Sequence, residues 1–365
     1  MENQGVLTYD PDRASQGYTL YCESWEDPSA SPDGKGEILL IDMDGEIVHR
    51  WYAETALQSF CKLLPDGNLV YPTRDRSNLF EAGLRELTPD SEVVWSYHCR
   101  IDHDFEILQN RNILMHTIRD HIWPQLGKEL KRCPYMIEVD REKELLWEWH
   151  GEHHLEELEA LLPEEGWDHV ASRIDGDFAF DWAHNNTLQV IPPNETWEQE
   201  RSEGSFERFK PGNIVFSYRS VDVIGVIDRE TSEIVWAWGP GIIDGQHKPH
   251  MLPNGHIMLF DNGTMRGFSR VIEINPLTEE IIWEYRSQDP EDFFSPYISG
   301  GQRLPNGNTL ICEGNKAHLF EVTPSREIVW DFYNPHRKEG ALGSIYRCTR
   351  YSEDYCQGLF DRIDD

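Results

Sequence analysis

Gly245-Gln246-His247-Lys248-Pro249-His250-Met251-Leu252-Pro253-Asn254-Gly255-His256-Ile257-Met258-Leu259-Phe260-Asp261-Asn262-Gly263 is the stretch from which the fold can be read. It predicts one β-hairpin: a strand beginning near His247, a turn at Pro253-Asn254-Gly255, and a returning apolar strand from Ile257 to Phe260. The chain repeats the design. Asn-Gly-type turns recur at Pro65-Asp66-Gly67-Asn68, Gln109-Asn110-Arg111-Asn112 and Pro305-Asn306-Gly307-Asn308. His103 stands eight residues before Arg111, as His247 stands eight before Gly255, so two histidines occupy one repeat position.

A second repeat surrounds the first. Strands ending in tryptophan occur at Glu46 to Trp51, Glu92 to Trp95, Glu144 to Trp147, Glu233 to Trp236, Glu280 to Trp283 and Glu327 to Trp330. The six tryptophans lie 44, 52, 89, 47 and 47 residues apart. That is the period of a four-stranded propeller blade, with one insertion in the fourth unit. Between hairpin and Trp strand lies a third strand, as in Met136 to Asp140, Val271 to Asn275 and Leu319 to Thr323. The expected fold is therefore all-β: a single six-bladed β-propeller over residues 1–365 with a helical insertion in the fourth blade. The strands of Gly17 to Tyr21 and Glu37 to Ile41 would start the first blade, and Ser344 to Tyr351 would close the ring against it.

Residues 151–211 are expected to include a lid-like insertion around an inner strand at 180–191. Leu155, Leu158, Leu161 and Leu162 recur at helical spacing, and the Asn194 to Lys210 segment is polar with Trp197, Phe206 and Phe209. Helical leucines of this kind usually serve packing.

Composition narrows the function. The 365 residues carry a formal net charge of -33, spread along the chain, and 39% of them are hydrophobic. Such a chain buries a sizeable core. Its surface repels phosphate backbones and anionic lipid, which argues against nucleic acid or a membrane as partner. The seven scattered cysteines, with no CxxC pair, read as reduced thiols. No leader-like segment opens the chain and no run approaches a membrane span, so a cytoplasmic location is expected. The oligomeric state stays open, a homo-oligomer included.

In a propeller the innermost strands converge at a shared funnel. Ser59, His103, His247 and Ser299 hold one equivalent position there. His184 lies eight residues before Pro192, whereas His247 lies six before Pro253, and a slip of two keeps a strand side chain on the same face. Three histidines, His103, His184 and His247, are thus expected to meet. Arg74 and Arg219 lie six residues after Asn68 and Asn213, and Arg119 seven after Asn112, which would bring guanidinium groups suited to a sulfate, phosphate or carboxylate. Asn185, Asp261, Gln302 and Arg303 complete the expected substrate-binding set.

The other histidines read differently. His49, His98, His318 and His336 are expected to be hydrogen-bonded structural residues, and His250 faces away from His247. His116 and His121 could line the funnel rim. His150, His153 and His154 resemble a metal tract, but their acidic helical surroundings favour solvent exposure.

These residues also carry a family resemblance. Asp102-His103-Asp104, Asp181-Trp182-Ala183-His184-Asn185-Asn186, Ile214 through Arg219, Asp228 through Trp236, and Gln246-His247 through Phe260-Asp261-Asn262-Gly263 together resemble the bacterial arylsulfotransferase (aryl-sulfate sulfotransferase) family, over nearly the whole chain and in order. The resemblance implies a six-bladed propeller that transfers a sulfuryl group from a phenolic sulfate ester to a phenolic acceptor, by a ping-pong route with no nucleotide sulfate donor and no cofactor. It places the nucleophile, which forms a sulfohistidine, on His247, with His103, His184 and Arg219 completing the site.

Chemistry agrees with those roles. A neutral imidazole can attack sulfur, and the covalent intermediate divides one hard displacement into two easier ones. A well-placed donor to the nonbridging oxygens is worth roughly 3 kcal/mol. A second histidine suits protonation of the leaving phenolate, and the sequence does not choose between His103 and His184. Where secreted relatives tend to have paired histidines, this chain has Asp102-His103, whose carboxylate would either oppose an anion or orient and charge the imidazole. The secreted relatives also carry a signal peptide and a further N-terminal domain that this sequence does not show. Two other classes stay open. Asp261, Glu313 or Gln302 could join the histidines around a divalent metal in a lyase or oxidoreductase, or the chain could be a noncatalytic interaction propeller.

Overall fold

The computed structural model describes residues 4–23, 36–53, 56–74, 82–175, 180–336 and 343–363. Its strands form six antiparallel sheets of at least four strands each, and the fold is a mostly β, six-bladed β-propeller. Two compact units divide the chain, one of residues 1–101 with 298–365 and one of residues 102–297.

The first unit contains the sheets built from both ends of the sequence. In the first sheet the C-terminal strand Ile345–Tyr351 lies beside Tyr18–Glu23, followed by Gly36–Ile41 and Ile47–Ala53. The expected closure by the Ser344 to Tyr351 segment is therefore present. The sixth sheet gains an additional edge strand the sequence did not suggest, because Gly5–Tyr9 pairs with Ile328–Tyr333. A C-terminal helix, Glu353–Ile363, was likewise not anticipated; it buries Cys356 and Leu359 among Leu63, Leu69 and Tyr71.

The second unit holds the third to fifth sheets. The third is Ile101–Ile107, Ile113–His121, Lys131–Val139 and Leu145–His150 in spatial order. The fourth is Asn185–Val190, Ile214–Tyr218, Val223–Ile227 and Ile234–Trp238, and the fifth is His247–Met251, Ile257–Asp261, Arg270–Asn275 and Glu280–Tyr285. Helices α1 (Leu155–Leu161) and α2 (Glu164–Ile174) lie between the third and fourth sheets in sequence. Helix α3 (Glu195–Glu203) follows the first strand of the fourth sheet, capped by Asn194, whose side chain accepts from Trp197 N. No helix among the described residues is long and apolar enough to cross a membrane.

Sequence explains the sheets. Central strands are apolar on both faces, as in Val-Ile-Gly-Val-Ile over Val223–Ile227, where every residue is buried. Gly225 is obligatory there, since a Cβ would sit 2.5 Å from the Phe216 ring. Each fully buried large aliphatic contributes about 1.5–3 kcal/mol. The post-turn asparagine fixes hairpin to third strand by one recurring bond: Asn68 to Glu86 and Asn112 to Glu138, both 2.7 Å, and Asn308 to Glu321, 2.6 Å. In the fifth sheet His256 takes the asparagine's place and bonds Glu273 at 2.7 Å. The Trp-ended strands vary more. Trp51 and Trp330 are fully buried, whereas in the third sheet it is Trp149, two residues past the repeat position, that is buried and donates to Ser232 O at 2.9 Å.

Candidate active site

His103 is the third residue of the first strand of the third sheet, His184 immediately precedes that of the fourth and His247 begins that of the fifth, and short polar links hold those strands side by side. Leu188 N donates to Asp104 Oδ2 at 3.3 Å, Asn186 Nδ2 to Gln246 O at 2.7 Å, and Lys248 N to Thr187 Oγ1 at 3.0 Å. Each link involves a residue within four positions of one of the histidines. Backbone geometry departs from a regular strand at the same places: His103, His184 and Lys248 have φ of 64°, 45° and 55°. Non-glycine residues rarely hold this left-handed conformation, and they do so at functional sites more often than elsewhere. Pairing slips beside them, between Asn185 and Leu188 and between His247 and His250. The local irregularity turns the imidazoles out of the plain strand alternation.

The rings of His103 and His184 meet edge to face, 4.7 Å between centroids. Each has its Nδ1 held by a carboxylate: His103 by Asp102 Oδ1 at 2.8 Å, His184 by Asp181 Oδ2 at 2.7 Å. The hydrogen bond to Asp181 orients the His184 ring, whereas the Asp102 carboxylate lies beside His103 Nδ1 as an ion-pair contact. The carboxylate that the Asp102-His103 pair introduces thus lies against the imidazole. Burial alone would raise the Asp102 carboxyl, but His103, His116 and His184 hold it well below the usual range, so it stays ionised. His116 is fully buried, donates from Nδ1 to Asp102 O at 2.8 Å, and is pushed down to about 4, chiefly by burial.

His247 is different. It is 2% exposed, and its Nδ1 lies 2.8 Å from Asn262 Oδ1 and 3.2 Å from Gly245 O. The Asn262 amide orientation is set by its own donation to Ser295 O at 2.8 Å, so both neighbours of Nδ1 are acceptors. The proton therefore sits on Nδ1 and the ring's lone pair on Nε2. Burial, and then the positive charge of Arg219, push the imidazole well below its ordinary range, with smaller contributions from His103 and His184. It is neutral at neutral pH.

Arg219 begins the short turn Arg219–Val221 at the end of Ile214–Tyr218. Its N–H donates to His184 O at 3.3 Å and its Nη2 to Pro296 O at 3.4 Å. Asp222 closes this turn: one oxygen accepts from Gly245 N at 2.8 Å, and the other pairs with His169 and Arg173 of α2 at 3.0 and 3.2 Å. Helix α2 is thereby fastened to the turn that carries Arg219.

The remaining expected residues disperse. Asn185 is buried and accepts from Ser217 N at 3.1 Å, holding the fourth sheet together at its first residue. Asp261 is fully buried in ion pairs with Arg270 at 2.7 Å and Arg266 at 3.0 Å. Arg119 is exposed, 3.5 Å from His150 Nδ1 and over the Tyr135 ring. Gln302 bonds both backbone groups of Arg350, and Arg303 donates to Gly307 O at its own hairpin turn. Arg74 ends the strand Leu69–Arg74, but its side chain lies outside the described residues. Glu313 is taken by His318 and Lys316. The donors considered for a metal set with the three histidines are thus engaged in other interactions. A cavity of about 720 Å³, lined by Glu106, Gln109, Gln189, Pro192 and Arg229 among others, contains none of the site histidines. Asp181 and Asn262, which hold His184 and His247, were not singled out from sequence. Each lies inside a motif quoted there, but a holding role depends on a partner's position, which spacing does not show.

Fold and site define a six-bladed propeller carrying a buried histidine, His247, and the partly exposed His103, His184 and Arg219. Residues 66–335 match the family model described as Arylsulfotransferase (ASST), and the chain belongs to that family. No curated protein matches it. Among solved structures it is similar to a Bacteroides caccae protein of unknown function, with 14% identity, TM-score 0.56, and 92% of this chain and 98% of that chain covered. It is also similar to a catalytically inactive virginiamycin B lyase from Staphylococcus aureus bound to quinupristin, with 11% identity, TM-score 0.47, and 92% and 89% covered. At these identities the likeness concerns the fold alone.

Proposed function

We propose that the protein transfers a sulfuryl group from an aryl sulfate ester to a phenolic acceptor, without a nucleotide sulfate donor, through a sulfohistidine on His247. The observation that carries this reading is the Asn262 contact to His247 Nδ1, which keeps the lone pair on Nε2 of a buried, neutral ring.

In the first half-reaction Nε2 attacks sulfur as the bond from sulfur to the aryl oxygen breaks, and the electron pair leaves on the phenolate. A proton from His103 or His184 neutralises it; each has a carboxylate beside its Nδ1, and either can serve. In the second half-reaction the same imidazole takes the acceptor's phenolic proton, the phenolate oxygen bonds to sulfur, and the bond from nitrogen to sulfur breaks. Arg219 stabilises charge on the three nonbridging oxygens in both steps. Attachment of α2 beside Arg219 supports a covering role for the 151–211 segment.

The test is release of 4-nitrophenol from 4-nitrophenyl sulfate, with and without added phenol, by the wild type and by His247→Ala. Phenol-dependent release that falls at least about 10³-fold in the variant supports the reading. Wild-type release with no dependence on any acceptor, or equal release by the variant, contradicts it.

A further inference from the structure

A second set of donor groups meets in the third sheet. Ile113–His121 pairs antiparallel with Lys131–Val139 so that Arg119 stands opposite Cys133 and His121 opposite Lys131. His121 and Cys133 are therefore diagonal neighbours on one face of the sheet. The turn Gly151–His154, which follows the sheet's last strand, carries Glu152 to the same place, with its Oε1 3.1 Å from His121 Nε2. One donor atom from each of the three residues lies within 4.8 Å of the others. Cys133 is fully buried and Glu152 is 3% exposed, while the His121 side chain, at 30%, reaches solvent and offers a path of entry.

An independent observation marks the site as incomplete with protein atoms alone. Glu152 Oε2 is buried and has no hydrogen-bond partner among the described residues. Leaving such an oxygen unsatisfied is destabilising. A cation at this point would satisfy it.

The geometry points to a zinc-type metal site formed by His121 Nε2, Cys133 Sγ and Glu152, with water in the fourth position. Binding forms a bond from sulfur to the metal and releases the thiol proton to solvent. Thiolate and carboxylate together cancel the charge of a divalent ion, which suits a buried position. The mixed sulfur, nitrogen and oxygen set selects zinc over calcium or magnesium, which take oxygen ligands. Such an ion would tie the turn leading into α1 and α2 to the two central strands of the third sheet.

The test adds zinc to the chelator-stripped full-length protein in competition with a chromophoric chelator, with cobalt as a spectroscopic probe. One equivalent should bind. Cobalt should give a thiolate-to-metal charge-transfer band, and Cys133→Ser should abolish that band. Cys133→Ser and Glu152→Gln should each weaken zinc binding more than about 100-fold, beyond what loss of a supporting residue costs. His247→Ala should leave it unchanged. If Cys133→Ser fails to fold by circular dichroism, His121→Gln replaces it, since His121 is the most exposed of the three. No stoichiometric binding of either metal, or binding that survives Cys133→Ser and vanishes in His247→Ala, overturns the assignment.

Discussion

Ser299 and His103 occupy the same repeat position, each eight residues before a left-handed turn residue, Gly307 and Arg111. Both are themselves left-handed, with φ of 88° and 64°. Their side chains do different things. Ser299 Oγ accepts from Gly314 N at 3.0 Å and its N–H donates to Tyr346 O at 2.9 Å, so it serves the backbone of its own unit. His103 turns a carboxylate-held ring toward His184. The repeat supplies a strained, outward-turned position, and the residue placed there decides whether it is structural or chemical.

The sharpest way to break this comparison is to remove charge from the chemical side. Arg219→Ala should lower kcat/KM for an aryl sulfate by about 10²–10³-fold, the usual loss for one donor to developing charge, and steady-state kinetics checks this. Asn262→Ala should cost about 10–100-fold by freeing the His247 ring to change tautomer. Asn262→Asp keeps the acceptor but places a negative charge beside Nδ1, which favours the imidazolium. Its activity should therefore fail at a higher pH on the acid side than the wild type's, read from a pH profile of kcat/KM.

Stability should respond to acid through the same residues. His247 and His116 have folded values below their ordinary range, so the unfolded chain binds more protons as pH falls below about 6.5. Stability is complete above that pH and declines below it; the share due to His116 is lost by about 4, where that ring titrates in the folded protein. His116 alone accounts for about 3 kcal/mol of the decline. Urea midpoints measured across this window should show a positive slope with pH, shallower in His116→Leu. The smallest effect belongs to the structural side: Ser299→Ala should cost about 0.5–1.5 kcal/mol in urea unfolding and leave kcat/KM within twofold.

Much of this was legible from residues alone. The six Trp-ended strands and their hairpins gave the blades because each repeat carries its own turn chemistry, and Ser344 to Tyr351 could be paired with the first blade because that sheet lacked a fourth strand. His103 and His247 could be aligned because they stand at one fixed distance from their turns, and His184 by allowing a slip of two residues. Arginine positions could not be read this way. Arg219 falls just past a strand of five residues and sits in a turn, whereas Arg119 lies inside a strand of nine and points to His150 and Tyr135. Strand length, set by pairing across the sheet, decides between the two outcomes and leaves no local mark. Asp261 shows the same limit: its ion pair with Arg270 depends on the register that sets the two opposite each other across the sheet, and its pair with Arg266 on how the intervening loop folds back.

The most direct test of the account is to mix the protein with an aryl sulfate and no acceptor, quench under conditions that preserve bonds from nitrogen to sulfur, and map the peptides by mass spectrometry. The account predicts one SO₃ group on His247, lost when phenol is added before the quench. An unmodified His247, or SO₃ found on His103 or His184 instead, would contradict it.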